Sequence, residues 1–182
     1  MNRLSGVALV VLLLAPQIAA AQGQQPYAGF ETRPIKALSE QQVAELRAGR
    51  GMGLALAAEL NGYPGPVHVI ELAQPLGLSG TQRDKVQSLF DAMKGETVPL
   101  GQKLIAQEAD LDRHFANKTI TEPALAASIQ AIAVTQAALR TAHLKYHLVT
   151  LDVLTPAQTK QYIELRGYAG GHVQHQHGGH KH

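Results

Sequence analysis

Two apolar stripes at helical spacing, parted by only a few polar residues, constrain this 182-residue chain more than any other feature of it. The first carries Val86, Phe90, Met93, Thr97, Leu100, Leu104, Leu111 and Phe115 in alternating steps of three and four, interrupted once by the polar pair Gln107-Glu108. That is the period of a helix with one buried face. At a rise of about 1.5 Å per residue, a helix over Thr81–Phe115 runs for roughly 50 Å. Pro99 stands mid-way, flanked by Gly95 and Gly101. It has no N–H for the Gly95 carbonyl, so a bend is expected there. Asn117-Lys118-Thr119 breaks the pattern, and Thr121-Glu122-Pro123 restarts it with a cap and an early proline. The second stripe is Leu125, Ile129, Ile132, Gln136, Leu139, His143, Tyr146 and Val153, flanked by alanines at 126, 127, 131, 133, 137, 138 and 142. Two long helices so briefly connected fold back as an antiparallel hairpin. The expected fold class is all-α: a long antiparallel helical hairpin with shorter flanking helices.

Composition agrees, because aromatic residues make up only 4% of the chain while alanine is plentiful, a balance that suits close-packed helices better than strands. Cysteine is absent, which removes disulfides, thiolate metal sites and thiol nucleophiles together. Any metal site must therefore use His, carboxylate or Met. The formal charge is +2 with no basic stripe, which argues against nucleic acid as a partner.

The chain opens with a basic Asn2-Arg3, an apolar run Val7–Ala15, and the small residues Ala19-Ala20-Ala21. This is the pattern of a signal peptide over residues 1–21, cleaved after about Ala21, with a mature start at Gln22. The apolar run is well short of the ~20 residues of a membrane span, and no later stretch is apolar enough to be one. What remains is enough for one domain, and two independent cores are not expected.

Residues 22–65 read as a flexible N-terminus with short helices, one following Ser39 and another over Leu54–Asn61 that Gly62 ends. Gly49, Gly51 and Gly53 follow no strand and lack the Gly-Lys-Ser/Thr ending of a phosphate loop, so they are hinges or close contacts. Tyr63-Pro64-Gly65-Pro66 forms a turn, from which Pro66 opens a short helix through Leu76. A last helix begins at Thr155 and ends near Gly167.

One pentapeptide recurs as LSEQQ (Leu38–Gln42), LSGTQ (Leu78–Gln82) and LTPAQ (Leu154–Gln158), each time at a helix start. Ser39, Ser79 and Thr155 are N-caps with Gln three residues on, the pattern of a capping box. The second and third copies also bracket the hairpin. On those two motifs the sequence resembles the LTxxQ-motif family of exported helical proteins, which includes the Spy and CpxP periplasmic proteins and related heavy-metal resistance proteins and sensors. The similarity covers about Pro66–Gly167, giving a helical domain over residues 66–168. The resemblance implies a periplasmic protein whose curved hairpins pair as a cradle-like homodimer. It further implies ATP-independent holding of unfolded or misfolded envelope proteins, damping of a membrane stress or metal sensor, or binding of zinc, nickel, cobalt or copper. No obligatory cofactor is expected.

Nine histidines are many for this length. His172, His175, His177, His180 and His182 fall in the closing HVQHQHGGHKH, a tail over residues 169–182 whose Gly/His composition suits metal binding. His143 and His147 are four apart on the second long helix and so share a face. His68, with Glu71 one turn on, is the natural third ligand, and His114 is the other spare. Metal-sensing relatives, by the resemblance, likewise join histidines ahead of the first motif to a pair before the second; here only His68 stands ahead. The alternative is that His143 packs between helices and His147 is solvated. Client binding needs an apolar stripe edged by charge, and Lys85, Lys94, Lys103 and Arg113 beside Asp84, Asp91, Glu96, Glu108 and Asp110 provide one. Catalysis is not expected: Asp110 and Asp112 lie on opposite sides of a helix, and neither G-x-S-x-G nor H-E-x-x-H occurs. The functional expectation is a non-enzymatic envelope-stress protein, a Spy/CpxP-like chaperone that binds metal ions. Its rival is a heavy-metal sensor or resistance protein acting on a membrane partner.

Overall fold

The computed structural model describes residues 26–168; the expected signal peptide over residues 1–21 and the His-rich tail over residues 169–182 lie outside the described residues. A 3-10 turn over Phe30–Thr32 precedes six α-helices: α1 (Glu40–Arg47), α2 (Leu56–Glu59), α3 (Pro66–Glu71), α4 (Gly80–Ala116), α5 (Glu122–Leu151) and α6 (Pro156–Leu165). The described residues contain no strand, and no helix among them is long and apolar enough to cross a membrane. The two long helices α4 and α5 pack side by side as the expected hairpin, with α1 and α3 laid on α4 and α2 on α5.

Local chemistry accounts for the ends of these elements. All three pentapeptides form complete capping boxes: the amides of Gln42, Gln82 and Gln158 donate to the hydroxyls of Ser39, Ser79 and Thr155 at 3.1, 3.2 and 3.2 Å. The reciprocal bonds, from each cap amide to the Gln side-chain oxygen, span 2.9, 3.1 and 3.0 Å. Thr121 caps α5 by accepting from the Ala124 amide at 3.4 Å. Pro99 lies inside α4, which continues through it.

The second and third copies go beyond capping. The Gln82 side-chain amide donates to Gln158 Oε1 at 2.8 Å and to the Val153 carbonyl at 2.9 Å. Gln158 donates in return to Gln82 Oε1 at 3.2 Å and to the Leu76 carbonyl at 3.3 Å. Every donor and acceptor of both carboxamides is thereby used, and the start of α4 is tied to the start of α6 across the open end of the hairpin.

Two apolar clusters hold the hairpin. At the open end, Val69, Leu76, Leu78, Val86, Leu154 and Tyr162 join α3, α4, α6 and the loops between them. Further along, Leu46 of α1 meets Leu104, Ile132 and Leu139 of the two long helices. Gly101 permits this, since a Cβ there would collide with the Leu46 carbonyl oxygen. Between the clusters, in register on both helices, runs a belt of buried polar groups: Thr97 on α4, and His143, His147 and Thr150 on α5.

The structure corrects three expectations. Gln136 is exposed, and the buried position beside it is Thr135, whose hydroxyl donates to the Ala131 carbonyl at 3.1 Å. Phe115 and Ile129, read as stripe residues, are 53% and 49% exposed, because they lie near the hairpin tip where no flanking helix covers them. Helix α3 stops at Glu71 instead of running to Leu76. Pro75 has no N–H to offer the Glu71 carbonyl and disfavours helical geometry at Gln74. The chain reaches Leu76 through turns instead, closed by Gly77 at φ +61° with the bonds Gly77 N to Gln74 O and Leu78 N to Ala73 O.

Candidate metal centre

Two members of this belt, His143 and His147, line a cleft of about 640 Å³ bounded by α2, α3, α4, α5 and the loop of residues 48–55. Helix α5 brings two imidazoles to it, for His143 and His147 are only 3% and 7% exposed. The loop crosses directly over the first of them: a Cβ on Gly51 would sit 3.5 Å from His143 Nδ1. His143 Nε2 is buried and has no hydrogen-bond partner. Burial, and then the neighbouring His147, hold the His143 pKa below the usual imidazole value, so the ring is neutral and retains a lone pair for a ligand.

His147 is oriented by the turn that follows α2. Its Nδ1 donates to the Tyr63 carbonyl at 2.7 Å, which fixes the orientation of the ring and leaves Nε2 as its other nitrogen. Gly65 packs on the ring so closely that a Cβ there would approach Cε1 to 2.8 Å. His147 is thus covered by the Tyr63–Gly65 turn and is not solvated.

Glu59, which sequence reasoning passed over, is the second organising group. It is 6% exposed. Its Oε1 accepts from the Tyr162 hydroxyl at 2.5 Å and the Tyr168 hydroxyl at 3.1 Å, and lies 3.3 Å from Arg166 Nε. Its Oε2 accepts from the Gly65 amide at 3.3 Å and lies 3.7 Å from His147 Nδ1. The carboxylate therefore joins α2 to α6 and to the residues after it, and carries negative charge to the wall of the cleft. Burial, and then the bond to Glu59, push the Tyr162 phenol far above its ordinary pKa. The available signal for Glu59 was a single carboxylate within the otherwise apolar LALAAEL.

His68 and Glu71 line the same cleft and hold each other, Nδ1 to Oε2 at 3.1 Å. His143, His147, His68 and Glu71 all line this cleft, of which helical spacing placed only the first two on a shared face. His114 is not: it lies at the far end of α4, 3.2 Å from Thr119 Oγ1. His172, His175, His177, His180 and His182 fall outside the described residues. Among the described residues no three His, Asp or Glu side chains converge closely enough to hold an ion. The donors ring the cleft without yet meeting. The orphaned Nε2 of His143 and the second imidazole beside it are of the ligand type that transition metals favour.

Comparison with curated proteins and with solved structures yields no match. A family model described as heavy-metal resistance matches residues 51–161, more than half of the chain, from the loop over His143 through both hairpin motifs. The chain belongs to the heavy-metal resistance family.

Proposed function

We propose that this protein is exported to the periplasm, performs no catalysis, and binds a transition-metal ion such as zinc, nickel, cobalt or copper in the cleft between α5 and the α2–α3 segment. The observation that carries this reading is His143 Nε2, a buried ring nitrogen with no hydrogen-bond partner, in a residue that lines the cleft. Native proteins seldom leave such an atom unsatisfied without a reason. His147 Nε2 would be the second donor, and His68 the third once it leaves Glu71. Bringing these donors together requires the loop over His143, or α3, to shift. A metal-dependent shift of surface elements is what a protein acting on a membrane stress or metal sensor needs. The His-rich tail would collect ions at the surface.

A second reading has its own support. Phe115 and Ile129 near the tip, and Val134, Leu148 and Val149 along α5, are exposed apolar side chains. Such surfaces suit Spy/CpxP-like holding of unfolded envelope proteins, or pairing of two hairpins as a homodimer.

Calorimetric titration of zinc, nickel, cobalt and copper into the full mature chain, into a variant with the tail histidines changed to Ala, and into His143→Ala tests the first reading. One equivalent is expected to survive loss of the tail histidines and to disappear in His143→Ala. Binding that follows the tail alone would overturn the cleft site and leave client holding as the function.

A further inference from the structure

Apart from Met1, the chain has only two methionines, Met52 and Met93, and both line the cleft that His143 also lines. They arrive there from unrelated parts of the sequence: Met93 from the middle of α4, where it is buried, and Met52 from the loop that crosses His143. The backbone of Met52 is unusual. It stands at φ +43° between two glycines, a left-handed conformation that a straight-chain L-residue rarely takes. Strained residues of this kind cluster where a side chain is held for a purpose. The chain has no cysteine, so these two thioethers are its only soft donors beyond residue 1.

We infer that the cleft is selective for a soft monovalent ion, Cu(I) or its analogue Ag(I), held by His143 Nε2 together with the sulfurs of Met52 and Met93. This rests on the reading that the cleft binds metal and names the class of ion. Thioether sulfur is a poor ligand for hard divalent ions, whereas Cu(I) favours it alongside imidazole. A d10 monovalent ion is also content with few donors, so it does not need the convergence of three His, Asp or Glu groups that is missing among the described residues. The flexible, polarisable methionine side chains can close on the ion by rotamer changes, with little movement of the helices.

The test uses the full mature chain with Cu(I) supplied anaerobically under reductant, and Ag(I) as the redox-inert probe. Methionine labelled with 13C at its methyl group gives one NMR signal for each of the two side chains, and X-ray absorption at the metal edge reports sulfur neighbours. The tail cannot supply that sulfur, since residues 169–182 contain neither Met nor Cys. One equivalent of Cu(I) or Ag(I) is expected to shift both methyl signals and to show sulfur in the first coordination sphere. Met52→Leu, a near volume-conserving change, should weaken Cu(I) binding about tenfold or more, roughly 1.4 kcal/mol. Unmoved methyl signals with only nitrogen neighbours, while His143-dependent zinc or nickel binding persists, would overturn the soft-ion assignment and spare the cleft site. Loss of His143-dependent binding for every ion tried would overturn both.

Discussion

Replacing Tyr162 with Phe removes one oxygen atom from the largest fully buried side chain and should cost far more than that atom's share of the core. Tyr162 is fully buried, and its hydroxyl donates to Glu59 Oε1 at 2.5 Å. A hydrogen bond to a charged group contributes about 1.5–3 kcal/mol. The ring of Phe fills the same space, so no cavity term adds to this. Glu59 Oε1 retains the Tyr168 hydroxyl and Arg166, which keeps the carboxylate from being orphaned and places the expected loss near the lower half of the range, about 2 kcal/mol. For a chain of this size about 1 kcal/mol corresponds to roughly 3 °C, so the melting temperature should drop by about 6 °C. Urea unfolding gives the same quantity independently: the midpoint should fall with an unchanged slope. A double-mutant cycle with Glu59→Gln should return a coupling above about 1 kcal/mol. A loss under about 0.5 kcal/mol with no coupling would refute the claim that Glu59 is the clasp between α2 and α6.

The paired glutamines and the buried histidine give two further expectations. Gln158→Leu should destabilise by about 2 kcal/mol, because it removes both a cap and the carboxamide pair with Gln82, while Gln42→Leu should cost about 1 kcal/mol or less because Gln42 only caps α1; equal losses in urea melts would show that the cross-hairpin pair contributes nothing. His143 has a folded-state pKa below its unfolded value, set by burial and then by His147. Above about pH 6.5 both states are neutral and stability is full. On acidification the unfolded chain takes the proton first, so the urea midpoint should fall as pH drops below about 6.5, and His143→Leu should flatten that dependence. Identical pH profiles for the two proteins would show that His143 is not held neutral by burial.

The fold was largely legible because its signals are local. Helical periodicity, three capping boxes and the short break after Ala116 depend on residues within a few positions of one another, and each acts through backbone groups that must be satisfied wherever the chain goes. Where a second local signal went unweighed, the reading failed: Pro75 ends α3 early, although Pro66 had opened it as expected. The His143–His147 pair was legible for the same reason, since spacing four on a helix fixes a shared face.

The state of the site was not legible. Whether His147 is wet or covered depends on Tyr63 and Gly65, which reach it from more than eighty residues away in the chain. Glu59 reads as a lone surface carboxylate until Tyr162, Arg166 and Tyr168 close around it from α6 and the residues beyond. Gln82 and Gln158 are caps in the sequence and become a cross-hairpin amide pair only when α6 returns to the start of α4. Met93 lies on the α4 stripe that faces the stripe of His143, but no pattern in the sequence brings Met52 to them. Periodicity, capping and turn chemistry act along the chain and can be read there. Burial, partner choice and the chemistry of a cleft come from segments distant in sequence being packed together, and no local pattern encodes which distant side chain will arrive.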